Sequence, residues 1–181
     1  NYKVKGSPYL YGESVPGELL LEDDTESKHS NMYYDLYNQE VGVNIDNTFV
    51  KLDKDISEFR FAVPKKYGSG QLVFKKVGLY NEHKLKGYFN VLADNQGKYA
   101  FLRYFSVALM SDASDMMNKD LKVFQQNYDY YIYNYKDKSL KKVKLRSKDI
   151  TRVIEEAKSL SNLKTYDLTT TEGVSKLIQK L

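Results

Sequence analysis

The chain of 181 residues contains no cysteine, no tryptophan, three prolines and two histidines. Without cysteine there can be no disulfide, no thiolate metal site and no cysteine nucleophile. The redox compartment stays open, because a cysteine-free chain is at home in either setting. No run of about 18 apolar residues occurs, so no segment reads as a membrane-spanning helix. His29 and His83 read as lying in polar turns, with no Glu or His at helical ligand spacing, which excludes a zinc signature. No G-x-S-x-G elbow is present, and Gly68-Ser69-Gly70 is too short for a phosphate loop.

Aromatic and apolar residues are plentiful. The sequence holds 17 Tyr and 8 Phe and is 41% hydrophobic, which supplies a core and argues against wholesale disorder. Between residues 30 and 63 four apolar-alternating runs follow one another, at 32–37, 41–45, 48–52 and 56–63. Alternation at period two with turn residues every eight to ten positions marks antiparallel strands on short connections, a β-meander. Asp46-Asn47 makes the tightest of its turns, since Asn and Asp tolerate left-handed backbone.

The flanking segments extend this pattern. Residues 1–17 are turn-rich chain pinned by Tyr9 and Leu10, and 18–21 is a short strand entering the acidic tip EDDTES. That tip, like the acid pair Asp53/Asp55 on a later turn, reads as solvated surface, because the spacing of a calcium loop is missing. Strands are expected at 71–80, 84–93 and 98–109, with Asp94 to Gly97 as a hairpin turn. The run at 98–109 is apolar on both faces, which implies cover on both sides, and Arg103 within it needs a carboxylate or carbonyl partner. Residues 110–119 read as a loop, and strands resume at 121–124, 128–135 and 140–145.

At Ser147 the period changes. Ile150, Val153, Ile154, Ala157 and Leu160 take the spacing of an amphipathic helix, with Ser147 as N-cap and Asp149 in the first turn. Thr169 and Glu172 form a capping-box pair before Val174, Leu177, Ile178 and Leu181. The expected fold is therefore mainly β: an antiparallel, meander-rich barrel or sandwich with two short C-terminal α-helices. It forms a single domain over 1–181, with a β body at about 18–146 and a helical appendage at about 147–181.

Charge is distributed unevenly. Residues 1–60 carry 6 Lys+Arg against 12 Asp+Glu, and residues 61–181 carry 22 against 12, so net charges of −6 and +10 underlie the overall +4. Such a split fits an anionic partner for the basic part or, as the plainer account, attraction between the two regions within one fold. The candidate ligand or partner surface is the Tyr/Lys-rich ribbon at 128–148: Tyr128, Tyr130, Tyr131, Tyr133, Tyr135, Lys142, Lys144 and Arg146. Tyrosine offers contact area and a hydrogen bond at low entropy cost, which suits an interface.

Several stretches together carry a resemblance: the start KGSPYL, the strand and turn PGELLLEDD, and MYYDLYNQEVGV with FVKLDKDISEFRF. KGYFNVL with FLRYFSV, and YYIYNY with LKKVKLRSKDI, complete it. The chain resembles, over nearly its whole length, an uncharacterised family of secreted or envelope proteins of Gram-negative bacteria. The shared residues are fold-forming rather than catalytic, and the length of 110–127 departs from the pattern. The resemblance implies a signal peptide before Asn1 and an extracytoplasmic home, whether periplasmic, surface or secreted; a start at Asn rather than Met also suits an arbitrary edge.

The expected function is a non-enzymatic binding or structural module contacting a protein, glycan or envelope component through its tyrosine-rich surface. It would work without cofactor or metal, as a monomer or weak homo-oligomer. Two alternatives stand beside it. The Tyr/Lys ribbon could stack and steer a single-stranded nucleic acid, although a pI near 8.9 falls short of the usual basic footprint. A hydrolase with an unrecognised site is the other, disfavoured because clusters of perturbed groups normally show in outline.

Overall fold

A computed structural model describes residues 3–52, 55–112 and 121–181. Strand accounts for 48% of the chain and helix for 21%, so the protein is mainly β, with two α-helices at its C-terminus. The strands do not close into a barrel. The chain gathers into two compact units, residues 1–71 with 105–128 and residues 72–104 with 129–181. The first carries 10 Lys+Arg against 15 Asp+Glu and the second 18 against 9, so nets of −5 and +9 make up the +4.

In the first unit, β2 (Val15–Leu21), β3 (Glu26–Asp35), β4 (Glu40–Ile45), β5 (Thr48–Lys51) and β6 (Ile56–Ala62) are ordered β6-β2-β3-β4-β5, every ladder antiparallel. The meander expectation is corrected at one point: β6 does not follow β5 in space but returns to pair with β2. Period-two alternation fixes which face a strand buries, not which neighbour it takes. β2 also begins earlier than expected, and Pro16 is tolerated where its register against β3 shifts between Val15 and Gly17. Asp46 and Asn47, at φ 48° and 61°, form the two-residue turn whose twist suits a hairpin. Met32, Tyr34, Leu36, Phe59 and Phe61 are buried in the core. A short β1 (Val4–Lys5) pairs in parallel with β10 (Lys122–Asn134), making the strand set mixed rather than purely antiparallel. His29 lies within β3, not in a turn.

In the second unit the order is β7 (Gln71–Lys76), β8 (Tyr88–Asp94), β9 (Tyr99–Ser111), β10 and β11 (Ser139–Val143). The run expected to be one strand at 71–80 ends as a 3-10 helix over Val77–Tyr80, which tucks Val77 and Tyr80 onto the sheet. The two strands expected at 121–124 and 128–135 are one strand of 13 residues. β9 continues to Ser111, past the expected start of a loop; the rest of that loop, at 113–120, lies outside the described residues, as does Asp53.

As the sequence implied for β9, both faces here are covered. On one, Phe101, Ile132 and Val143 meet Ile150, Ile154, Val174, Leu177 and Ile178 of the C-terminal segment. On the other, Ala100, Leu102 and Tyr104 join Phe89, Tyr133 and the 3-10 helix. Arg103 finds its carbonyl in Asn90. In helix α1 (Ser147–Val153) the N-cap position falls on Arg146, not Ser147, and no side chain caps it; Ser147 is the first helical residue, its carbonyl accepting from Thr151 Oγ1 at 2.8 Å. It passes into a 3-10 helix at Glu155–Ser159, and a second 3-10 turn at Leu163–Thr165 leads to α2 (Thr171–Lys180). Thr170, not Thr169, caps α2, accepting from Gly173 N at 3.0 Å.

Candidate functional site

The β10–β11 hairpin carries the ribbon at 128–148. Because successive side chains of a strand point to opposite faces, its tyrosines separate. Tyr130 lies 5.6 Å from Phe101 with the rings tilted by 31°, on the face the helices cover. Tyr131, Tyr133 and Tyr135 occupy the opposite face. There Tyr133 is buried between Tyr80 and Tyr135 at 5.5 and 5.0 Å, and Tyr131 lies 5.3 Å from Phe89. The Tyr135 hydroxyl donates to Asp94 Oδ2 at 2.7 Å, and burial together with that carboxylate pushes its pKa up. Tyr128 belongs to the first unit, 56% exposed and 6.1 Å from Phe105. The structure thus brings three of the five tyrosines together and gives their rings to packing.

The cations are placed differently. Residues 136–148 contain seven Lys and Arg against the single carboxylate of Asp137, and all eight charged side chains are exposed. Asp137 is engaged by its own turn, accepting from Ser139 N at 3.0 Å, and that hydrogen bonding holds its pKa low. Lys142 stands opposite Tyr131 and reaches Asp129 at 2.9 Å, which raises its pKa. Arg146 closes on Asp149 at 2.8 Å, securing the start of α1 and lowering that carboxyl. Lys136, Lys138, Lys141, Lys144 and Lys148 make no ion pair within 4 Å among the described residues.

Beside this hairpin lies an open groove of about 980 Å³. Asn134, Ser139 and Lys141 line one wall and Arg152, Glu155 and Glu156 the other, with the Tyr99 hydroxyl donating to Glu156 Oε1 at 3.4 Å. Sequence reading missed Tyr99, Arg152 and the two glutamates. They come from β9 and from the helical segment, and no local pattern ties them to the ribbon.

Elsewhere the geometry is less suggestive of chemistry. Ser27 Oγ and His29 Nε2 approach to 3.0 Å along β3, but a nucleophile and base also need an oriented third group. Asp23 caps its turn by accepting from Thr25 N at 3.0 Å. Among the described residues no three His, Asp or Glu side chains gather to hold a metal ion, and no helix is long and apolar enough to cross a membrane.

No family model, curated protein or solved structure matches the chain. What distinguishes the site on physical grounds is its charge: an exposed cationic hairpin beside a groove that mixes donors and acceptors.

Proposed function

We propose that the chain is a non-enzymatic, extracytoplasmic binding module that holds an anionic glycan of the cell envelope on the β10–β11 hairpin and in the adjoining groove. The carrying observation is the set of five exposed lysines at 136–148 with no ion pair among the described residues. Cations spaced along an exposed ribbon attract a polymer of repeating negative charge, with an affinity that falls as salt rises. The groove adds amide, hydroxyl, ammonium and carboxylate groups, and sugar hydroxyls both donate and accept. A single-stranded nucleic acid fits less well, because base stacking needs open rings and the rings of Tyr130, Tyr131, Tyr133 and Tyr135 are packed. The location is part of the proposal and rests on the resemblance drawn from the sequence motifs alone.

The test is titration calorimetry against polygalacturonate, with neutral dextran and a single-stranded oligonucleotide as comparators, at low and high salt. Binding to polygalacturonate that weakens with salt is expected, with no response to dextran. Replacing Lys138, Lys141, Lys144 and Lys148 together by Gln should weaken it roughly tenfold, since about 0.4 kcal/mol from each of four exposed contacts passes the 1.4 kcal/mol of one decade. Replacing Lys28, Lys65, Lys164 and Lys180 instead should change it little. Equal loss in both variants would reduce the effect to net charge and overturn the site; tighter binding of the oligonucleotide would transfer it to nucleic acid.

A further inference from the structure

We propose that the outer edge of β5 pairs with β5 of a second copy of this chain, the two strands antiparallel and Phe49 opposite Phe49. The hydrogen-bond parity of the hairpin sets this up. Leu52 N donates to Val41 O at 3.0 Å, and Val43 faces Val50 and Ile45 faces Thr48 across the same ladder. Antiparallel pairs alternate between those that exchange both backbone bonds and those that exchange none, so Thr48, Val50 and Leu52 turn their backbone groups to β4. The N–H and C=O of Phe49 then point away from β4, and β5 ends its strand order among the described residues.

An exposed edge of this kind is normally guarded by a proline, a bulge or an outward lysine. β5 (Thr48–Lys51) contains no proline, and its register against β4 is unbroken. Its lysine leans back across the sheet, Lys51 Nζ meeting Glu40 Oε1 at 2.7 Å. Aliphatic surface lies alongside, with Ile45 52% and Val50 39% exposed on the face opposite Phe49.

A second copy is the occupant that matches these features. A two-fold antiparallel contact is self-complementary by construction. The Phe49 pair exchanges two N–H···O bonds, each ring staying against Tyr9 and Tyr33 of its own chain at 5.2 and 6.0 Å, while Thr48 of each copy faces Val50 of the other. Thr48-Phe49-Val50 carries no charge, so two copies of a unit with net charge −5 meet without like charges at the seam. A strand of four residues buries less than the ~1,200 Å² usual for a stable complex, so the dimer is weak and forms with concentration. None of this depends on what the cationic hairpin binds.

Sedimentation velocity of the whole chain over a rising concentration series tests it. The expected result is a monomer passing to a dimer. Val50→Lys, at an exposed position, places two ammonium groups at the seam and should raise the midpoint concentration about tenfold or more. Phe49→Pro removes the outward N–H while sparing the bonds to β4, and should do the same; circular dichroism reports whether it folds, and if it does not, Val50→Lys alone decides. A wild-type chain that stays monomeric throughout, or a dimer that Val50→Lys leaves unchanged, overturns the proposal.

Discussion

The side-chain carbonyl of Asn90 accepts two hydrogen bonds from Arg103, from Nε at 3.1 Å and from Nη2 at 2.8 Å, while its amide donates to Val73 O at 3.1 Å. Asn90 is 1% exposed, so one buried amide ties β7, β8 and β9 of the second unit together. Replacing it by Ala removes all three bonds and strips the Val73 carbonyl and the guanidinium of a buried partner. We expect Asn90→Ala to cost about 2–4 kcal/mol in urea denaturation, because an unmade buried bond costs more than a made one contributes. A loss under about 0.5 kcal/mol, the range of surface substitutions, would show that the amide is not a tie.

At the start of α2, Gly173 is packed so closely that a Cβ there would lie 1.9 Å from Asp167 O. Within a helix, Gly→Ala ordinarily stabilises by about 1 kcal/mol. Here the sign should reverse: Gly173→Ala must push the helix off the chain that precedes it, at a cost of about 2–4 kcal/mol. Thr170→Ala, which removes the cap and the hydroxyl's own bond to Asp167 O at 3.0 Å, should cost about 1–2 kcal/mol. Thermal melts of the two variants check both the sign and the order.

Much of this was legible from residues and some of it could not have been. The Asp46-Asn47 turn, the cover on both faces of β9 and the change to helix at Ser147 follow from local chemistry or periodicity, and so they were readable. The insertion of β2 between β3 and β6 was not, since pairing of distant strands leaves no local mark. Nor was the cap of α2. Three consecutive threonines could serve; Asp167 Oδ1 takes the backbone N–H and hydroxyl of Thr169 at 3.0 and 2.6 Å, leaving Thr170 to cap. The ribbon tyrosines could be assigned to alternate faces but not to exposure, because nothing at 128–135 shows that Phe89, Tyr80 and Phe101 wait on either side. The lysines at 136–148 were visible as charge, and what the structure adds is which of them are engaged.

Ile154 is fully buried where α1 ends, within the cluster that joins α1, α2 and the sheet face of the second unit. Ile154→Asp loses that burial and forces a carboxylate into apolar surroundings, together roughly 3–5 kcal/mol. At roughly 2–4 °C per kcal/mol for a chain of this size, the melting midpoint should fall by about 6 °C or more. A shift under about 1 °C would mean that the stripe is not what holds the helices down.

The tyrosines of the second unit give the fold an alkaline limit. Tyr104 donates to Lys86 O at 2.9 Å, and burial, with smaller contributions from Tyr131 and Glu82, pushes its pKa up to about 12. Tyr135 is raised as well, by burial first and then by its hydrogen bond to Asp94. In the unfolded chain both phenols titrate near about 10. Between those values the folded protein holds protons that the unfolded chain has lost, so stability falls as pH rises. The contribution is fully present below about pH 10 and is lost as pH climbs towards the folded values. Denaturation midpoints should therefore hold below pH 10 and decline above it. Tyr104→Phe should lose about 0.5–1.5 kcal/mol at neutral pH with its hydrogen bond, yet show a shallower alkaline decline, because one of the responsible protons is gone. Phenolate absorbance should also show one fewer late-titrating group in that variant. If the variant's decline and titration superimpose on those of the wild type, Tyr104 is not the group that titrates late.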